Sequence, residues 1–164
     1  MRALRNTVLG MVSGIALAAS ASGAFAATIV KVDLWDKGAG TAMATNLAYA
    51  TAGMDMSMAT MGVNATPATA AAGIVSFEVT NGSKDTVHEM IVMYLADPAQ
   101  ALPYIVGDSK VDEDKAGDKG EVSELDPGKS GTLTVALKPG KYILICNVAG
   151  HFMAGMWTPF EVTK

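Results

Sequence analysis

The chain has 164 residues, a formal net charge of −4, one cysteine, two histidines and eleven methionines. An acidic surface does not suit nucleic acid or an anionic membrane, and one cysteine forbids an internal disulfide. The length supports one domain with a sizeable core.

Residues 1–26 read as a secretory signal. Arg2 and Arg5 form a positive start, Thr7 to Ala19 is apolar and small, and Ala24-Phe25-Ala26 is an A-x-A cleavage site. The apolar run is short for a membrane anchor. The expected mature chain is therefore 27–164, a single domain in an oxidising, periplasmic compartment. Loss of Arg2 and Arg5 takes its net charge from −4 to −6. No stable membrane insertion is expected, and a monomer is.

Thr28-Ile29-Val30-Lys31-Val32-Asp33-Leu34-Trp35 alternates as a half-buried strand and ends at Asp36-Lys37-Gly38. The next stretch, 38–61, is rich in alanine, threonine, glycine and methionine. It ends in Met54, Met56, Met58 and Met61. Thioethers favour soft Cu(I), but flexible methionines also fill gaps over one end of a sandwich. Met54, Met56 and Met58 would share a strand face, whereas Met54, Met58 and Met61 would share a helix face. Residues 62–72 suggest short edge strands broken at Pro67. Ile74 to Thr80 is a strand with Val75, Phe77 and Val79 inward, closed by the Asn81-Gly82 turn.

Val87-His88-Glu89-Met90-Ile91-Val92-Met93-Tyr94-Leu95 is apolar on both faces from Met90 onward, as expected of a central strand. Asp97 to Gly128 reads as an insertion, with a turn or short helix at Pro98–Tyr104. Its acidic centre, Asp112-Glu113-Asp114, is a solvated loop or a docking patch for a basic partner. Gly120–Leu125 suggests an edge strand. Ser130–Leu137 alternates, with Leu133, Val135 and Leu137 inward, and the Lys138-Pro139-Gly140-Lys141 turn follows. Many short strands, frequent turns and no strong amphipathic helix imply an all-β, antiparallel Greek-key sandwich with an irregular or helical methionine-rich segment.

The remaining stretch carries the chemistry. Tyr142-Ile143-Leu144-Ile145 leads into Cys146, and Cys146, His151 and Met156 follow a C-x4-H-x4-M spacing before the apolar Trp157–Val162. The pattern suggests two adjacent strands joined by a ligand-bearing loop. A lone cysteine in an apolar strand is commonly an inert core residue. Here a histidine and a methionine share its loop. Thiolate, imidazole and thioether make a soft mixed set suited to copper. A blue-copper site needs a second imidazole, which His88 alone can supply. Zinc also accepts cysteine and histidine, but methionine is a poor ligand for it.

The segment from Tyr142 through His151 to Gly155-Met156 resembles the C-terminal copper loop of the cupredoxins. Asn81-Gly82-Ser83 followed by His88 resembles the region of that family's first histidine ligand. The loop spacing is similar to that of the rusticyanin and auracyanin branch. The resemblance implies one type 1 copper on His88, Cys146, His151 and Met156, with Met156 as the weak axial ligand. It implies electron carriage between partners such as a cytochrome or an oxidase, with His151 as the solvent-facing edge. Phe152, Met153 and Trp157 would form an apolar rim. Asn147 would reach across to the His88 strand. Glu89 stands where many relatives carry asparagine, and its charge would lower the potential or alter docking.

An enzyme is not expected: both histidines are used, so none remains for a catalytic copper or as a free base. The alternative function is copper handling, as a chaperone or resistance factor that binds Cu(I) through the methionine-rich segment.

Overall fold

A computed structural model describes residues 26–164; the expected signal, apart from Ala26, lies outside them. The strands follow the alternation in the sequence. The first, β1 (Thr28–Asp36), buries Val30, Val32 and Leu34 and turns Lys31 and Asp33 outward. β2 (Met61–Thr66) pairs antiparallel with it, and Gly62 lies opposite Trp35. A side chain at Gly62 could not be accommodated, because a Cβ there would lie 2.7 Å from the Trp35 ring. β3 (Thr69–Ala71) belongs to the other sheet. After the reversal at Gly73 the chain returns to the first sheet as β4 (Gly73–Asn81). That excursion is why β4 runs parallel to β1, since parallel neighbours need a crossover.

β5 (His88–Tyr94) follows, then the two-residue strands β6 (Tyr104–Ile105) and β7 (Lys110–Val111), which pair with each other. A one-turn helix, α1 (Glu113–Ala116), is capped by Asp112 and stops at Gly117, whose φ of 81° favours glycine. β8 (Asp118–Leu125), β9 (Ser130–Leu137), β10 (Gly140–Ile145) and β11 (Trp157–Thr163) complete the chain. The sheets run β2-β1-β4-β9 and β3-β11-β10-β5-β8. The β-sandwich expected from the sequence is present. The sheets are mixed rather than purely antiparallel, because β1–β4 and β3–β11 are parallel pairs.

The core lies between the sheets. Val30, Val32, Leu34, Phe77 and Val79 face Met90, Val92, Tyr142, Leu144 and Phe160. Phe77 and Phe160 meet edge to face, with ring centroids 5.3 Å apart. Full burial of one such side chain contributes about 1.5–3 kcal/mol, and the aromatic contact adds roughly 0.5–1.5.

A second apolar layer explains why β5 and β10 have no polar face. Ile91, Met93, Ile143, Ile145 and Trp157 point away from the sandwich and are covered by Ala48, Leu95, Leu102, Val111, Ala116 and Phe152. Segments 37–60 and 95–117 are therefore a third layer over the five-stranded sheet. The charged stretch around Asp112 is not a free solvated loop. It folds as the β7–α1 corner, and Val111 and Ala116 anchor it in this layer.

Candidate metal centre

Cys146 follows β10 directly, and Met156 precedes β11. The Cys146 N–H donates to the Met156 carbonyl at 3.0 Å, so one backbone bond closes the loop at its base. Within the loop the chain coils: His151 N–H donates to Val148 O at 2.9 Å, and Met156 N–H to His151 O at 3.1 Å. Gly150 and Gly155 take φ values of 83° and 92°, which side chains other than glycine rarely adopt. At Gly155 a Cβ would also press on Ala59 and Met56 at 3.3 Å.

This coil turns His151 back toward Cys146. His88, at the start of β5, comes from the neighbouring strand. The three side chains form a buried cluster, and among the described residues they are the group of histidine, cysteine and acidic side chains that could hold a metal ion. His88 Nδ1 lies 3.2 Å from His151 Nδ1, and Cys146 Sγ lies 3.4 Å from His151 Nδ1 and 3.9 Å from His88 Nδ1. The point equidistant from the corners of that triangle is its circumcentre, about 2.0 Å from each atom. Metal–nitrogen bonds of about 2.0–2.1 Å and metal–thiolate bonds of about 2.3 Å are typical. The donors thus fit one ion without rearrangement. Met156, fully buried, shares the core cluster with Cys146.

The protonation states suit ligation. Burial, and the neighbouring His88, push His151 down to about 4, and burial also lowers His88. Both imidazoles are therefore neutral at pH 7 and can present a lone pair. Burial pushes the Cys146 thiol up to about 12, opposed by N–H donors from Glu89 and Val148. The thiol keeps its proton until a cation displaces it, so metal binding releases a proton. The Glu89 N–H lies 3.5 Å from Sγ. Such hydrogen bonding around a ligating sulfur tunes the potential of a copper–thiolate site.

Two supporting contacts go beyond the sequence reading. Asp36, read from the sequence only as the end of the first strand, places Oδ2 2.7 Å from His88 Nε2. Burial opposes its ionisation, but hydrogen bonds from Ser83, His88 and the Gly38 N–H hold it below the ordinary carboxylate range. An ionised carboxylate only accepts, so Nε2 carries the ring proton and Nδ1 is left bare toward the cluster. Glu89 is the second. It is 6 % exposed, and burial, the largest influence, raises its carboxyl to about 6. Its Oε1 accepts the Asn147 N–H at 3.1 Å.

Asn147 does tie the loop to the His88 strand, but through that backbone N–H rather than its side chain. The side chain pairs with β7 as a strand would: Oδ1 accepts from Val111 N–H at 2.7 Å, and Nδ2 donates to Val111 O at 3.0 Å and to Glu113 Oε1 at 2.7 Å. The Gly150 N–H donates to Ser109 O at 2.8 Å. The acidic corner thus buttresses the ligand loop.

The expected apolar rim differs. Phe152 and Trp157 are buried in the outer layer, and Met153 packs against it. Trp157 Nε1–H donates to Leu47 O at 2.7 Å. His151 is 5 % exposed and reaches a cleft of about 320 Å³ shared with Asp36, Met43, Thr60 and Met61. Met43, Met56 and Met58 are the exposed thioether side chains there and on the adjoining segment. The four methionines singled out in the sequence do not share a face. Met54 packs on the outer layer, Met61 enters the core, and Met56 and Met58 flank Ser57 in a single 3₁₀ turn.

The architecture is the cupredoxin fold, with a buried His-Cys-His cluster. Among solved structures, the chain is similar to auracyanin from Roseiflexus castenholzii in its dithionite-reduced form (TM-score 0.51, 17 % identity, 85 % of this chain and 98 % of that one). It is also similar to auracyanin A, described as a "blue" copper protein, from Chloroflexus aurantiacus (TM-score 0.51, 16 % identity, 84 % and 100 %). A third likeness is to rusticyanin from Thiobacillus ferrooxidans (TM-score 0.50, 17 % identity, 85 % and 80 %). No protein-family model and no curated protein matches the sequence.

Proposed function

We propose that the protein is a type 1 copper protein that carries single electrons between redox partners. His88, Cys146 and His151 would hold the copper, and Met156, buried in the same core cluster as Cys146, would be the fourth donor. The observation that carries this reading is the triangle of two Nδ1 atoms and one Sγ, about 2.0 Å from a common centre. Copper bound there supplies one reversible electron through Cu(II) and Cu(I). The chain's own part is to keep the donors fixed. His88 is held on β5, Cys146 is tied to Met156, and the loop is stitched to β7 and to segment 37–60. A donor set that does not move between oxidation states keeps reorganisation small. With both histidines engaged, no imidazole remains as an acid or base, so the role is carriage rather than catalysis.

The signal-like residues 1–26 support export to the periplasm. Among the described residues no helix is long and apolar enough to cross a membrane. The acidic charge favours a redox partner, such as a cytochrome or oxidase, with a basic docking face. A copper-handling role through the methionine-rich segment is the weaker reading, because Met54 and Met61 are drawn into different apolar layers.

The test is a visible absorption titration of the purified mature protein with Cu(II), followed by reduction. An intense thiolate-to-copper band that saturates at one equivalent and bleaches reversibly is the expected result. Tight Cu(I) binding without such a band would overturn the type 1 assignment.

A further inference from the structure

The buried carboxylate behind His88 has no part in holding the metal directly. Asp36 closes β1, in the four-stranded sheet, while His88 opens β5, in the five-stranded one. Their contact of 2.7 Å therefore bridges the sandwich, and the two side chains are 5 % and 0 % exposed. The other oxygen of Asp36 is occupied too: Oδ1 accepts the Gly38 N–H at 2.7 Å. The backbone on either side is pinned, with Asp36 opposite Met61 in the β1–β2 register and Lys37 N–H donating to Thr60 O at 2.9 Å. A His88 ring turned over would set a C–H against this anion and point Nε2 elsewhere. The carboxylate therefore selects both the tautomer and the ring orientation.

We propose that Asp36 is a positioning residue of the metal centre: it anchors His88 through Nε2–H so that Nδ1 alone faces the metal, and its negative charge favours Cu(II) over Cu(I). This rests on the copper reading above. The second half follows from charge. An anion hydrogen-bonded to a ligating imidazole makes that ligand more basic, and in a buried site little water screens it from the ion. The higher positive charge gains more, so the reduction potential falls. A purely structural pair between the sheets would affect stability alone.

Asp36→Asn separates these roles, because it keeps the shape and an acceptor oxygen but removes the charge. The D36N protein should show at least a tenfold smaller preference for Cu(II) over Cu(I), a rise in potential of about 59 mV for a one-electron couple. Asp36→Glu, which restores the charge, should recover part of the shift. Asp85→Asn removes a charge from the same end of the molecule, where Asp85 accepts the Ala39 N–H at 3.1 Å, and should leave the potential in place. In the diamagnetic Cu(I) protein, nitrogen-15 NMR of the wild type should show a protected His88 Nε2–H and a metal-bound Nδ1, so the test does not depend on any variant folding. A wild-type potential in folded D36N, or a His88 that ligates through Nε2, would overturn the proposal. Failure of the wild type to form any thiolate–copper band is a separate outcome, since it removes the metal site and this role with it.

Discussion

The two faces of the β5–β10 pair are equally apolar but are built differently. The inner face meets the opposite sheet, and its partners are regular strands whose alternation sets Phe77, Val79 and Leu34 inward. The outer face is covered by segments 37–60 and 95–117, mostly loops and very short elements, held by single side chains such as Leu102, Val111 and Ala116. Cys146 follows β10 and packs in the inner core, whereas the loop that carries His151 is braced by the outer layer. The inner face holds Cys146 and Met156, and the outer layer braces the loop that carries His151.

That division can be broken at several points. Phe77→Ala on the inner face should cost about 3–5 kcal/mol in chemical denaturation of the metal-free protein. A loss below about 1 kcal/mol would mean that the core is not where stability resides. Asn147→Ala strips two partners from the Val111 backbone and should cost less, about 1–3 kcal/mol. It should also weaken copper binding roughly 10–100-fold as the loop loosens. Equilibrium unfolding and competitive metal titration of one variant would separate the two effects.

Glu89 gives a pH test of the contact between the layers. Its carboxyl is raised to about 6 from 4.5, so the folded state holds the proton more tightly than the unfolded one. The sign is that of a penalty absent at low pH, which appears as pH climbs through that interval. Glu89→Gln should therefore stabilise the metal-free protein by about 2 kcal/mol above the interval. No gain is expected below pH 4.5. Equal effects at both pH values would show that the charge is not what matters. The smallest change should come from Met58→Ala. This side chain is 63 % exposed. Its loss should stay within about 0.5 kcal/mol, and copper should still bind at one equivalent. Loss of a second, Cu(I)-specific equivalent would revive a metal role for the methionine-rich segment.

The inner face was legible because period-two alternation is local: Val75, Phe77 and Val79 can be assigned inward from their own strand. His151 and Met156 were legible because loop spacing is local as well, and His88 because no other imidazole exists. The supports of the site were not. Asp36 lies 52 residues from the histidine it holds, and nothing in Asp36-Lys37-Gly38 distinguishes a strand-end aspartate from an anchor. The Asn147–Val111 pairing runs along a backbone edge, where the side-chain pattern is silent. The acidic run at Asp112 has the composition of a solvated loop. It is ordered by Val111, Ala116 and the Glu113–Asn147 bond, each of which needs a distant partner.

X-ray absorption at the copper edge, on protein loaded with one equivalent, tests the central claim most directly. One sulfur and two nitrogen scatterers are expected near the roughly 2.0–2.3 Å of the donor triangle, with little change on reduction. In Cys146→Ser the short sulfur should vanish. Copper surrounded by several thioether sulfurs, or a wild-type shell of nitrogen and oxygen alone, would contradict it.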